Sequence, residues 1–251
     1  DHHVSAFPSP EERAVYEARV KTEELLAPAD RRMFHDGTYS SCTKLIADIG
    51  AARFDVDPAP MAKLVGWADM IDSAAFPNAE MAVARDEPVL QMMAVVEQKG
   101  TDAFLTAMVP RLLDGGLEEA ASSADVQAAY ALIRAPHDAF IALTKERAVE
   151  KDGVVLVDVS DQLIETAGKF VTYALYPKSA YSVLLTRSRG KCKISIGYNP
   201  WSPTPRRHNI AEICERHGGG GHPVVGAISL PADEVEKARA LAREVVQELA
   251  T

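Results

Sequence analysis

The sequence predicts an α/β protein in two parts, mostly helical to about residue 150 and a smaller mixed sheet-and-helix part after it. Three observations predict this. Residues 88–150 are rich in alanine and leucine, with apolar positions at helical spacing. Beyond them come short runs of Val, Ile, Tyr and Thr, which favour strands. The length of 251 residues suits two ordinary domains, and 47% hydrophobic with 25% charged residues is ordinary for a globular chain. The expected division is 1–150, with a helical connector over about 120–150, and 151–251, with a cleft between them.

Taken in order, residues 11 to about 26 (EERAVYEARVKTEELL) read as a charged helix opened by Pro8-Ser9-Pro10. Ser40 or Ser41 is placed to cap a helix striped by Leu45, Ile46 and Ile49, with Gly50 as its stop. PMAKLVGWADMI is the next helix and leads into DSAAFPN. Several helices follow, with a break at Gly115-Gly116. VVLVDV, KFVTYALY, YSVLLTR and CKISIGY read as strands, with DQLIETAG as a helix between the first two. HNIAEICER is a short helix with Asn209 as cap and Glu212 three residues on; Gly218 stands where a left-handed helix end needs it. VVGAISL is a strand. Val235, Ala238, Leu241, Val245 and Leu249 share one face of a closing amphipathic helix.

Net charge is −9 and the pI about 5.3, which argues against coating long nucleic acid by bulk charge. A small phosphorylated ligand in a local basic pocket remains compatible. Three cysteines, Cys42, Cys192 and Cys214, form no CxxC pair, so a reducing, cytoplasmic compartment fits better than a disulfide framework. No apolar run approaches the roughly 18 residues of a membrane span. The chain opens on Asp1 rather than methionine, and further sequence upstream is expected.

Two stretches carry chemistry. In HGGGGHPVVGA, residues 217–227, four glycines lie between a helix and a strand and end on His222. Bare backbone lets a ligand approach closely, and consecutive amides can converge on an anionic oxygen. The preceding helix presents its negative end here, so an anion would rest on amides and His222 rather than on the helix dipole. A plain flexible turn is the competing reading. At the other terminus, Asp1, His2 and His3 put a carboxylate beside two imidazoles. Such a carboxylate can orient one ring while an imidazole binds a divalent metal and its neighbour meets substrate. A solvated terminus or a tag remnant gives the same letters. In MIDSAAF, Asp72 is a candidate ligand, with Asp69 competing for the same assignment.

In this order, DHH, TYSSCTKLI, IDSAAF and GGGGHPVVGA together resemble the DHH phosphoesterase superfamily with its associated C-terminal domain. The resemblance covers most of the chain, least surely residues 85–150. It implies the remainder of a parallel α/β DHH domain followed by a substrate-binding domain. It also implies two divalent metals, usually manganese with magnesium as the alternative, which activate water against a phosphoester. Carboxylate and imidazole ligands suit manganese. By the same resemblance His2 and Asp72 bind metal, His3 contacts the substrate phosphate, and Asp1 supports the pair. Gly219, Gly220, Gly221 and His222 grip the substrate. The family's first two metal motifs precede DHH and are not in this sequence.

A second departure lies at SIGYNPW. Many relatives place a phosphate-gripping arginine there, where this chain has Gly197, Tyr198 and Asn199. Arg206 and Arg207 follow closely, so Asn199 and Arg207 join the expected substrate contacts; packing tyrosine and solvated arginines are the alternative. Tyr198 or Trp201 is placed to stack on a base. The expected reaction is hydrolysis of short RNA or nucleotide phosphates, in the manner of nanoRNases and adenosine bisphosphate phosphatases. Cyclic dinucleotide hydrolysis and non-catalytic nucleotide binding are the alternatives, and an acidic helical interaction protein is a third. No membrane or long nucleic-acid partner is expected, and a homodimer is admitted.

Overall fold

A computed structural model describes residues 6–21, 34–164, 168 and 170–251. Asp1, His2 and His3 lie outside the described residues, as does residue 165 to 167 of the expected DQLIETAG helix. The chain divides into two compact units, Asp1–Phe76 with Thr106–Ala120, and Pro77–Leu105 with Ala121–Thr251.

The first unit is helical. Its elements include α1 (Pro10–Lys21), α2 (Cys42–Phe54), a 3-10 turn (Ala59–Met61) and α3 (Ala62–Asp72). The Tyr16 hydroxyl accepts the His35 amide at 2.7 Å, and Phe7 stacks edge-on against His35. Of the two candidate caps, Ser41 is the one used: its hydroxyl accepts the Lys44 amide at 3.2 Å. Gly50 does not stop α2. The helix runs on to Phe54 and ends at Asp55, in the left-handed conformation at φ 54°. An interior glycine costs only about 1 kcal/mol, and Ala51 and Ala52 after it are the best helix formers.

Next come α4 (Ala79–Ala84), α5 (Pro88–Lys99), α6 (Asp102–Asp114), α7 (Gly116–Ala121) and α8 (Ala124–Arg147). The break between α6 and α7 falls at the expected Gly-Gly pair, where Gly116 takes φ 77°.

The sheet belongs to the second unit. Its strands are β1 (Ala148–Lys151), β2 (Val154–Leu163), β3 (Tyr181–Arg187), β4 (Lys191–Tyr198), β5 (Gly220–His222) and β6 (Val225–Pro231). Their order is β1-β2-β3-β4-β6-β5, and only β2 and β3 run parallel. Parallel neighbours need a crossover, and α9 (Val171–Leu175) lies on it. α10 (Ile210–Arg216) and α11 (Val235–Leu249) complete the unit. Val183, Leu185, Ile194 and Ile228 pack with Ile210, Ile213, Ala238, Ala242 and Val245 in one buried cluster. Fully burying each large aliphatic contributes about 1.5–3 kcal/mol. Val155, Val157 and Val159 form a second cluster, against which Leu143 of α8 packs.

The expected α/β character is thus present, a helical region followed by a mixed six-stranded sheet with helices. Four local expectations are corrected. Asp161–Leu163 continue β2 instead of opening a helix. The Ser160 amide and hydroxyl both donate to Asp158 Oδ1, at 2.9 and 2.6 Å, beside a register shift, after which Leu163 pairs with Arg187. KFVTYALY is not a strand: its described residues make α9, begun at Phe170 with φ 66°. Here strand-like composition yields to the demands of the crossover. Ala148–Lys151, inside the region read as helical, pair with β2 as an edge strand. The glycine run is in part a strand, β5.

Candidate functional site

Four features of the chain meet at one edge of the sheet. α10 begins as its sequence predicts: the Asn209 side chain accepts the Ala211 amide at 3.2 Å and donates to Glu212 at 2.7 Å. It ends in a left-handed glycine, Gly218 at φ 74°. The Gly219 amide returns to Cys214 O at 2.8 Å and the Gly218 amide to Glu215 O at 3.1 Å. This is the paired closure of a Schellman turn, so the first two glycine amides are spent on the helix and do not join a nest.

The chain then turns into β5, antiparallel to β6, with Gly220 opposite Ala227, Gly221 opposite Gly226 and His222 opposite Val225. The glycines answer to different causes. At Gly219 a Cβ would run into the carbonyl of Ala227, and at Gly221 into the carbonyl of Val225. The backbones approach too closely there for any side chain. At Gly220 a Cβ would meet nothing within 4 Å, and the backbone is unstrained. The fold therefore requires three of these glycines and not the fourth. β5 ends the sheet order, so its outer edge presents unpaired backbone groups. Gly220, Gly221 and His222 are all exposed on it.

The hairpin tip is held from the opposite side. Pro223 O accepts the Ile210 amide at 3.1 Å and Arg206 Nη1 at 3.1 Å; the same Arg206 nitrogen reaches His208 O at 2.9 Å. Val224 O accepts the Tyr198 amide at 2.9 Å. The loop bearing these cations is pinned by a residue that the sequence did not single out. The Tyr181 hydroxyl, on a 3% exposed side chain, accepts the amides of Arg207 at 2.7 Å and His208 at 3.0 Å. Nothing local in YSVLLTR signals this, because Tyr181 and its partners are 26 and 27 residues apart. The outcome is an exposed Arg207 side chain on a loop fastened to the glycine hairpin, a basic locality on a chain of net charge −9.

The other expected contacts are placed differently. Asn199 is fully buried: its amide nitrogen donates to Pro177 O at 3.2 Å and Ser179 O at 2.9 Å, and its oxygen accepts the Trp201 amide at 3.1 Å. Its polar atoms serve the loop itself. The Tyr198 hydroxyl donates to Thr204 O at 3.0 Å and its ring lies 5.7 Å from that of Tyr181. Trp201 packs edge-on against Phe170 and Tyr173. Gly197 has a packing cause. A Cβ there would collide with the Tyr173 hydroxyl, which is buried and accepts from Ser182 at 3.0 Å. Burial pushes the Tyr173 phenol up to about 12, so it stays protonated.

In the first unit, Asp69 Oδ1 accepts the hydroxyls of Ser41 at 2.6 Å and Ser40 at 2.8 Å. These bonds, Ser41's first, hold its carboxyl below the ordinary range. They also fasten the start of α2 to α3. Asp72 is the last residue of α3 and is exposed. Among the described residues no group of three or more His, Cys, Asp or Glu stands close enough to hold a metal ion. No described helix is long and apolar enough to cross a membrane. Cys42, Cys192 and Cys214 are free thiols.

No protein-family model and no curated protein matches the sequence. Solved structures do. The chain is similar to a pGpG-specific phosphodiesterase, PggH of Vibrio cholerae, with a TM-score of 0.70 at 18% identity, over 86% of this chain and 76% of that one. It is also similar to an exopolyphosphatase-related protein of Bacteroides fragilis, with a TM-score of 0.51 at 14% identity, over 100% of this chain and 64% of the other. The fold is therefore that of known phosphoesterase structures, and this chain spans under two thirds of the Bacteroides protein.

Proposed function

We propose that the protein is a DHH-type phosphoesterase that hydrolyses small nucleotide phosphates, with linear dinucleotides such as pGpG and very short RNA as the substrate class. The observation that carries this reading is the β5 edge. Gly220 is a glycine that the chain's own packing does not require, beside an exposed His222, on a fold shared with a pGpG-specific phosphodiesterase. Fold alone does not set chemistry; the open Gly220 and the exposed Arg207 on the loop tied to the hairpin through Arg206 support a contact with a phosphate-bearing end.

In this reading Gly219 to Gly221 form the backbone wall, His222 and Arg207 contact the substrate, and Arg206 and Tyr181 hold the wall in place. Asn199 is left out as a contact, since its bonds are internal. His2 and Asp72 are the proposed metal ligands, His3 the phosphate contact and Asp1 the carboxylate that orients the histidine pair. Bound manganese would supply Lewis acidity to a phosphoryl oxygen; the described residues do not themselves make up a metal site.

The test is turnover by the full-length protein with manganese against pGpG, dinucleotide RNA, adenosine 3′,5′-bisphosphate, a cyclic dinucleotide and pyrophosphate. Preferred cleavage of the linear dinucleotides supports the reading. Preference for the cyclic dinucleotide moves it to the alternative. Binding of pGpG with no turnover of any substrate identifies a nucleotide-binding protein of the same fold, and neither binding nor turnover overturns both.

A further inference from the structure

Arg85 follows α4 as its C-cap residue, in the left-handed conformation with φ 53° and ψ 41°. It is only 8% exposed, and among the described residues neither its buried Nε nor its buried Nη1 has a hydrogen-bond partner. An isolated cation is among the costliest groups to bury, and buried charges are ordinarily paired. Its backbone is fixed in place: the Gln91 side-chain amide donates to Arg85 O at 3.0 Å.

Two of the titratable groups near it are uncharged. Val83, two residues before, is joined through its carbonyl to the His137 ring at 2.8 Å. Burial, and then the positive charge of Arg85, push the His137 imidazole down toward its neutral form. Burial also pushes the Tyr130 phenol up, so it too is neutral. Of the nearby carboxylates, Asp138 faces Arg134 at 3.6 Å and Asp86 is exposed. Neither accepts a hydrogen bond from Arg85 Nε or Nη1. Among the described residues the Arg85 guanidinium thus keeps two buried donors unfilled.

We propose that Arg85 is the anchor of a second oxyanion site, one that takes a phosphate group, either free or carried by a nucleotide. The guanidinium is always charged and donates several N–H bonds, which suits phosphate oxygens. The site is built from α4, α5 and α8, not from the glycine hairpin, and does not depend on the hydrolytic reading.

The experiment is thermal unfolding of the wild type, Arg85→Met and Arg85→Lys in chloride buffer and in inorganic phosphate at matched ionic strength, with a 5′-mononucleotide as a further arm. Methionine keeps the apolar length and removes the charge. The wild type should gain melting temperature saturably with phosphate. Arg85→Met should melt no lower than the wild type in chloride and show no phosphate response; Arg85→Lys should respond at a concentration roughly tenfold or more higher, the ratio that about 1.4 kcal/mol of lost bonding gives. A mononucleotide response lost with Arg85→Met but kept with His222→Ala assigns the nucleotide as the source; a response to phosphate alone assigns the free ion. Equal phosphate shifts in the wild type and Arg85→Met, or none in the wild type, overturn the proposal. So does an Arg85→Met protein that melts well below the wild type in chloride, for then the guanidinium is already satisfied within the chain.

Discussion

Arg206 Nη1 donates to Pro223 O at 3.1 Å and so fastens the loop of residues 206–209 to the tip of the glycine hairpin. A single nitrogen on an exposed side chain bridges two carbonyls, those of His208 and Pro223. Tyr181 fixes the same loop from beneath through two amide bonds. The two residues act on a wall that neither belongs to.

Removing Arg206 should therefore loosen the wall and leave the protein folded. Arg206→Ala is expected to change stability by no more than about 0.5 kcal/mol, as exposed substitutions usually do. It should weaken pGpG binding roughly tenfold, with Arg206→Lys recovering part of the loss. Calorimetric titration of the folded variants measures this. Unchanged affinity for Arg206→Ala would remove the positioning role.

Gly220 and Gly221 separate ligand from fold. Alanine at 221 meets the Val225 carbonyl and the Gly226 backbone, so Gly221→Ala should lower the melting temperature and disturb the β5–β6 pairing. Alanine at 220 meets no protein atom within 4 Å. Gly220→Ala should melt as the wild type does and lose dinucleotide affinity or turnover by about tenfold or more. A Gly220→Ala protein with normal affinity would show that no ligand approaches that backbone.

Much of this edge was legible in the sequence, because its signals are local. Asn209 three residues before Glu212, and a glycine just past Arg216, mark a helix by chemistry that operates over one turn. What the residues could not show was that Gly220–His222 would pair with β6, because run length alone does not distinguish a loop from an edge strand. KFVTYALY misled for a related reason. Its β-branched and aromatic residues suit a pleated surface, yet α9 lies on the crossover between parallel β2 and β3, a requirement set by strands on either side of it. Tyr181 was legible as a strand residue and illegible as the loop's anchor, since its partners lie far along the chain.

Gly197 offers a check on that long-range packing. The Tyr173 hydroxyl stands where a Cβ at 197 would go. Gly197→Ala should cost about 1–3 kcal/mol by overpacking. Tyr173→Phe removes the obstructing oxygen along with its bond to Ser182, so the double variant should be more stable than Gly197→Ala alone. Chemical denaturation of the four proteins gives the coupling. Strict additivity would mean that tyrosine is not what excludes a side chain at 197.

Acid should weaken the tie between β2 and α11. Asp158 accepts Arg239 Nε at 2.8 Å and two bonds from Ser160. Burial raises its carboxyl, but the Ser160 bonds and then Arg239 outweigh that and hold it below its ordinary value. A carboxyl depressed in the folded state stabilises the protein at every pH above its unfolded value of about 3.9, and that contribution fades as pH falls through the lower folded value. Both side chains are partly exposed, at 26% and 34%, so solvent screening limits the effect to about 1 kcal/mol. Asp158→Asn should therefore be less stable than the wild type near neutral pH by about that amount, and the gap should narrow as pH falls through and below the ordinary carboxylate range. Urea unfolding across pH measures both curves. A gap that stays constant as the carboxyl is fully protonated by acid would mean that the loss comes from packing at the register shift between β2 and β3, and that the carboxylate's charge contributes nothing to holding α11 against the sheet.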